Sequence, residues 1–166
     1  MIADPIRLQK SEAYERHASR EHSMWYRGDL FTFLADGKDT DGKFTVIEFA
    51  PKRGLEPPPH THTYEDESIY VLSGELTFTV GEQHIEAGPG SYVVLPRGVR
   101  HGWRIHTEEA RLLMIFSPAG MEGFFKQLAL PVEGEDLHNA PQTRPDMVKM
   151  LALADQYGLI FGPPKN

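Results

Sequence analysis

Cysteine is absent from the chain, which removes disulfides, thiol nucleophiles and thiolate-bound metals together. Any metal must therefore rest on histidines and carboxylates. Positive charge is scarce: 17 Lys and Arg stand against 24 Asp and Glu, a formal net charge of −7. No Lys/Arg cluster interrupts this acidity, so the basic face that a phosphate backbone requires is missing and no nucleic-acid partner is expected. Long apolar runs are missing too. None approaches the roughly 20 residues that span a bilayer, and no membrane partner is expected. The opening stretch MIADPIRLQKSEAYERHASREH is charged throughout and has no apolar h-region, unlike a secretory signal. A cytoplasmic protein is the expectation. At 166 residues, 40% of them hydrophobic, the chain suits one domain with a substantial core.

Helical periodicity is rare before residue 118. From Ser23 to Ser117 short runs at strand period alternate with turn residues. WYRGDLFTFLA (25–35) reads as one run and gives way to DGKDTDGK, which holds two Asp-Gly pairs. FTVIEFA (44–50) is β-branched and aromatic, whereas PKRGLEPPP (51–59) cannot sit in a central strand. SIYVLSG and ELTFTVG predict a hairpin about Ser73-Gly74, and VGEQHI a second about Gly81-Glu82. SYVVLP, HGWRIH and ARLLMIFS follow. Roughly eight or nine strands at this turn spacing predict an all-β sandwich or small barrel, not a parallel α/β sheet.

Pro118 ends the last run, and GMEGFFKQLAL (120–130) reads as a short helix. A second is predicted in PDMVKMLALADQYG, with Met147, Met150, Leu151 and Ala154 on one apolar face, Pro145 at its start and Gly158 at its C-cap. The expected organisation is an N-terminal arm (1–22), a β-barrel (23–118) and a C-terminal helical extension (119–166) packed on the barrel's outside.

The chemistry gathers in PPPHTHTYEDE (57–67). Side chains alternate along a strand, so His60 and His62 share a face, about 6.6 Å apart at roughly 3.3 Å per residue, and both can lean on one ion. Glu67 follows a bend through TYED, from which the next strand would return antiparallel and bring a carboxylate beside them. Downstream, Pro96-Arg97-Gly98 makes a turn and His101 offers a fourth ligand. Glu65 shares parity with Glu67 and is a supporting group or a substitute ligand; Asp66 is the weaker alternative. His17, His22, His84, His106 and His138 have no partners at ligand spacing and read as surface or capping residues. Parity also marks apolar walls for a substrate pocket: Trp103 two residues from His101, Ile69 two from Glu67, with Phe78, Met114 and Phe116 on neighbouring strands. Barrel core competes with pocket wall for most of these, and Trp103 is the one singled out as a wall.

Gly54–Gly74 reads G-x5-H-x-H-x4-E-x6-G and Gly90–His101 reads G-x5-P-x-G-x2-H. These stretches resemble the first and second motifs of the cupin superfamily. One position departs: Ile105 stands where the second motif usually closes with Asn. The resemblance implies a double-stranded β-helix, the cupin or jelly-roll barrel, with short C-terminal helices appended. It further implies one divalent transition metal ion (Fe, Mn, Ni, Co, Cu or Zn) held by His60, His62, Glu67 and His101. WYRGDLFTFLADG, ARLLMIFSPAGMEGFFKQL and QYGLIFGPP are similar to single-domain bacterial cupins of the quercetin 2,3-dioxygenase-like subgroup. That subgroup implies a dioxygenase acting on a flavonol-like or other enolisable aromatic substrate, anionic when bound, with Glu67 accepting its proton. A homodimer is expected, as cupin barrels commonly pair. Two alternatives stay open: a metal-dependent isomerase, hydrolase or decarboxylase using the ion as a Lewis acid, and a non-catalytic small-molecule-binding or sensor cupin.

Overall fold

Two antiparallel sheets pack face to face in the computed structural model, which describes residues 13–141 and 146–162. In chain order the elements are β1 (Ser23–Tyr26), β2 (Asp29–Ala35), β3 (Thr45–Phe49), β4 (His60–His62), β5 (Asp66–Ser73), β6 (Leu76–Val80), β7 (Gln83–Ala87), β8 (Tyr92–Leu95), β9 (His101–Ile105), β10 (Arg111–Ser117), α1 (Glu122–Leu128), β11 (Leu130–Pro131), α2 (Met147–Gln156) and β12 (Leu159–Phe161). One sheet runs β11-β1-β2-β3-β10-β5-β8 and the other β12-β4-β9-β6-β7. This is the expected double-stranded β-helix with two short helices.

The period-2 pattern decides which side chains face inward. On β3, β6 and β10 the inward sets are Thr45, Ile47 and Phe49; Leu76, Phe78 and Val80; Leu112, Met114 and Phe116, all buried. Register brings them together: Met114 lies opposite both Ile47 and Ile69, and Phe78 opposite Trp103. The two inner faces merge into one apolar core, the principal source of stability in a sandwich of this kind. The β5–β6 hairpin turns at Gly74, whose φ of +91° suits glycine. A Cβ there would come within 2.8 Å of the Ala110 backbone, so no side chain fits.

Three elements differ from the sequence expectation. The run 25–35 is two strands, because Arg27 (φ 53°) and Gly28 (φ 91°) form a two-residue hairpin turn between Tyr26 and Asp29. The buried face of α2 is Met150, Leu153 and Ala154, while Met147 and Leu151 are each 54% exposed. The helix carries two overlapping apolar stripes, and contact with α1 and β12 selects the one that continues to Tyr157. Asp146 caps this helix by accepting from the Lys149 amide at 3.0 Å, and Gly158 follows it at φ 65°; Pro145 lies outside the described residues. Third, the C-terminal segment does more than cover the outside. β11 pairs with β1, and β12 pairs with β4, so each sheet gains an edge strand from it.

The helix α1 is tied to the β2–β3 loop by Glu122, which accepts from the amides of Gly37 (2.9 Å) and Gly120 (2.7 Å) and from the Thr45 hydroxyl (2.6 Å). Burial opposes its charge, but these donors hold its carboxyl below the ordinary range. Lys126 adds an ion pair to Asp36 at 2.6 Å. The α1 aromatics Phe124 and Phe125 are thereby pressed into the barrel mouth.

Candidate metal centre

The prolines before His60 have two local effects. The Pro58 carbonyl accepts a hydrogen bond from His60 Nδ1 at 2.9 Å. Pro59 lies over Gly102, where an added Cβ would meet it at 3.2 Å, so the glycine lets β4 and β9 approach closely. His60 consequently sits directly opposite His101 in the ladder. His101 repeats the arrangement of His60, with Nδ1 donating to the carbonyl two residues upstream, Val99, at 2.9 Å. A carbonyl only accepts, so in both neutral rings the proton is on Nδ1 and the Nε2 lone pair faces the interior.

Glu67 arrives from the opposite sheet. β5 does not return beside β4, as the bend through TYED predicts; it pairs with β10 and β8, and its carboxylate reaches across the barrel. Glu67 Oε2 lies 3.1 Å from His101 Nε2, 3.3 Å from His62 Nε2 and 3.8 Å from His60 Nε2. All four residues are buried, and one ligand atom from each lies within 4.8 Å of every other. Donors that share an ion at about 2.1 Å stand about 3.0 to 3.4 Å apart in tetrahedral or octahedral geometry. Two of the three distances to Glu67 Oε2, 3.1 and 3.3 Å, fall in that range, and the third is 3.8 Å.

Electrostatics point the same way. Lone pairs of neutral imidazoles facing a carboxylate oxygen repel unless a cation lies among them. Burial lowers the pKa of His60, favouring its neutral form, while the Glu67 charge only partly opposes this. Burial also works against the Glu67 charge, yet contacts with His101, His60 and His62 hold its carboxyl well below the ordinary range. His62 is the exception: burial disfavours its charge, but Glu65 and Glu67 outweigh it and push the imidazole up to about 9. Three imidazoles and a carboxylate are a donor set that suits the first-row divalent ions, so the residues present fit a metal.

Glu65 is 4% exposed and lies with Oε2 at 3.6 Å from His62 Nδ1, neither atom having another partner among the described residues. It stands behind the cluster, against the ring nitrogen that points away from Glu67. Asp66 instead pairs on the surface with Arg97 at 2.8 Å. His84 and His106 bond the Thr79 and Thr77 hydroxyls on the outer face of β6, His17 meets Glu15, and His22 and His138 lie away from the cluster. Ile105 is 1% exposed, and its amide donates to Glu56 Oε1 at 2.9 Å.

A cavity adjoins the cluster and is lined by His60, His62 and Glu67. Trp103, Met114 and Phe116 line it as parity predicts; Ile69 and Phe78 share the parity but are fully buried in the core and do not. Their ladder partners, Met114 opposite Ile69 and Trp103 opposite Phe78, do line it, so shared face and register do not by themselves bring a side chain to the cavity. Sequence reasoning missed the rest of the wall: Tyr26 and Arg27 from the β1–β2 turn, Phe125 from α1, and Leu159 and Phe161 from β12. The Arg-Gly pair and the Leu-Ile-Phe run were the signals available.

A cupin domain model matches residues 45–116, a stretch that contains all four clustered residues. Over 125 residues the chain is 30% identical to quercetin 2,3-dioxygenase of Bacillus subtilis (strain 168), covering 75% of this chain and 37% of that enzyme. The chain thus spans little more than a third of that relative's length. Among solved structures, KdgF from Halomonas sp. shares the fold at 19% identity with a TM-score of 0.57, over 68% of this chain and 98% of that one. The nucleoside dehydratase Pac13 does so at 19% identity and a TM-score of 0.52, over 66% and 88%. At these identities the structural likeness is one of fold alone. The two motifs, the jelly-roll topology and the domain match together identify residues 45–116 as a cupin domain.

Proposed function

We propose that the chain is a metal-dependent dioxygenase whose substrate is a flat, enolisable aromatic of flavonol type. The observation that carries this reading is the juxtaposition of the His60–His62–Glu67–His101 cluster with a cavity whose walls are aromatic and aliphatic. His60, His62, Glu67 and His101 would hold the ion. A bound divalent ion supplies an electrophilic centre that acidifies a chelating hydroxyl.

The chain's own residues then do three things. The Pro58 and Val99 carbonyls fix the rings of His60 and His101, and Glu65 stands behind His62, so the donor set needs little rearrangement. Glu67 Oε2 faces the imidazoles, and the residue borders the cavity, where its carboxylate would accept the substrate hydroxyl's proton. Trp103, Met114 and Phe116 enclose the aromatic body and exclude water, which strengthens the electrostatics inside. Three neutral imidazoles and one carboxylate leave a divalent ion one net positive charge, and a deprotonated chelator neutralises it. The identity of the Bacillus relative supports the same reaction class.

The test is elemental analysis of the purified protein, followed by reconstitution with each first-row divalent ion and oxygen-electrode assays on flavonols. Metal-dependent oxygen uptake that disappears in Glu67→Gln is expected. Absence of uptake with every metal refutes the proposal. Turnover without oxygen would assign the site to non-oxidative Lewis-acid chemistry instead.

A further inference from the structure

The cavity wall carries two polar groups that the cluster does not use. The first is Arg27. It occupies the leading position of the two-residue turn between β1 and β2 with φ 53°, a left-handed conformation that Asn or Gly adopts without steric cost and that arginine adopts against one. The residue lines the cavity beside Tyr26, whose hydroxyl its side chain approaches. Among the described residues it forms no ion pair, whereas Arg16, Arg97 and Arg111 each hold a carboxylate. Asp29, two residues on, is within electrostatic reach of Arg27 without pairing to it. The second is Trp103, whose Nε1 is buried and has no acceptor among the described residues. Its ring lies 6.3 Å from that of His60 and also borders the cavity. A buried indole N–H without an acceptor is uncommon. Tyr26, beside Arg27, brings a hydroxyl to the same wall.

Resting on the reading of the cluster as a chelator's seat, we propose that Arg27 and the Trp103 indole N–H receive anionic oxygens of the substrate at the cavity wall. The substrate class narrows to aromatic chelators that carry a carboxylate or phenolate besides the chelating group. A neutral flat aromatic fills the same walls but leaves both donors unmatched. The turn residue is then explained as well: the conformation that Arg27 holds is tolerated because its side chain serves the cavity.

The probes are 3-hydroxyflavone and its 4′-carboxylate, titrated calorimetrically into zinc-loaded protein, where binding is read without turnover. Wild type is expected to bind the carboxylate at least tenfold more tightly. Arg27→Asn, which suits the turn better, should erase that preference, leave 3-hydroxyflavone binding unchanged and keep or raise the melting temperature. Arg27→Lys should restore part of the preference, and Trp103→Phe, which keeps an aromatic wall, should reduce it. Equal affinity of wild type for the two probes overturns the inference while leaving the chelation site intact, as does an Arg27→Asn variant that loses both probes alike. Failure of wild type to bind either probe overturns the functional reading itself, and this inference with it.

Discussion

Replacing Glu65 with Gln removes one buried charge and almost no volume, and it isolates what that carboxylate does. Glu65 Oε2 lies 3.6 Å from His62 Nδ1, and neither atom has another partner among the described residues. At that separation the contact is electrostatic rather than a hydrogen bond, and the carboxylate's charge favours a proton on Nδ1 of His62. Loss of such a partner behind a metal-bound histidine weakens metal affinity about 10- to 100-fold, or about 1.4 to 2.7 kcal/mol. The lower end is expected for Gln, which loses the charge but keeps a polar group beside Nδ1. Glu65→Leu removes the polar neighbour as well and should reach the upper end. The assay is competition between the protein and a chelator for Co²⁺, whose visible spectrum also reports ligand geometry. Folding of the metal-free protein, followed by urea, should change far less for Gln than metal affinity does. Co²⁺ affinity in both variants within twofold of wild type would refute the assignment of Glu65 to His62.

Three further outcomes are expected. Glu67→Gln removes the negative charge on which all three imidazoles converge and should lose more metal affinity than any Glu65 variant, as measured by residual metal after dialysis. Phe116→Ala deletes a side chain that is 1% exposed and packs on His62 and Phe125 at ring separations of 5.3 and 6.0 Å; urea unfolding should show about 3 to 5 kcal/mol of destabilisation. Burial raises the carboxyl of Asp29 from 3.8 to about 6, with Arg27 and Lys52 only partly offsetting it. Its folded pKa exceeds its unfolded one, so its stabilising contribution is complete below about pH 4 and is lost as pH rises through about 6. Asp29→Asn should therefore leave stability at pH 4 unchanged and raise it at pH 7.5 by about 1 to 2 kcal/mol once solvent screening is allowed for. Equal stability gains at both pH values in denaturant titrations would refute the assignment.

Much of the site was legible because its components are local. His60 and His62 are one residue apart, His101 follows a Pro-Arg-Gly turn, and Glu67 sits at fixed spacing, so period and turn residues place them before any long-range contact is known. Trp103, Met114 and Phe116 were readable for the same reason. Ile69 and Phe78 have the same parity and end in the core although their ladder partners Met114 and Trp103 line the cavity, because parity gives the face of a strand and not which side chains on that face border a cavity. The origin of Glu67 in the opposite sheet was likewise hidden, since a four-residue bend is compatible both with a hairpin and with a crossing between sheets. On α2, two apolar stripes overlap, and Met150, Leu153 and Ala154 won because the neighbouring α1 and β12 offered them a surface.

By itself, the order of residues determined the strand period, the turn positions and the candidate donor set, for these depend on interactions within a few residues along the chain. Only the tertiary structure decided that the carboxylate crosses the barrel, that Glu65 stands behind His62, and that residues as distant as Arg27 and Phe161 close one cavity. Those outcomes depend on sheet order and register, which are set by the packing of the whole core.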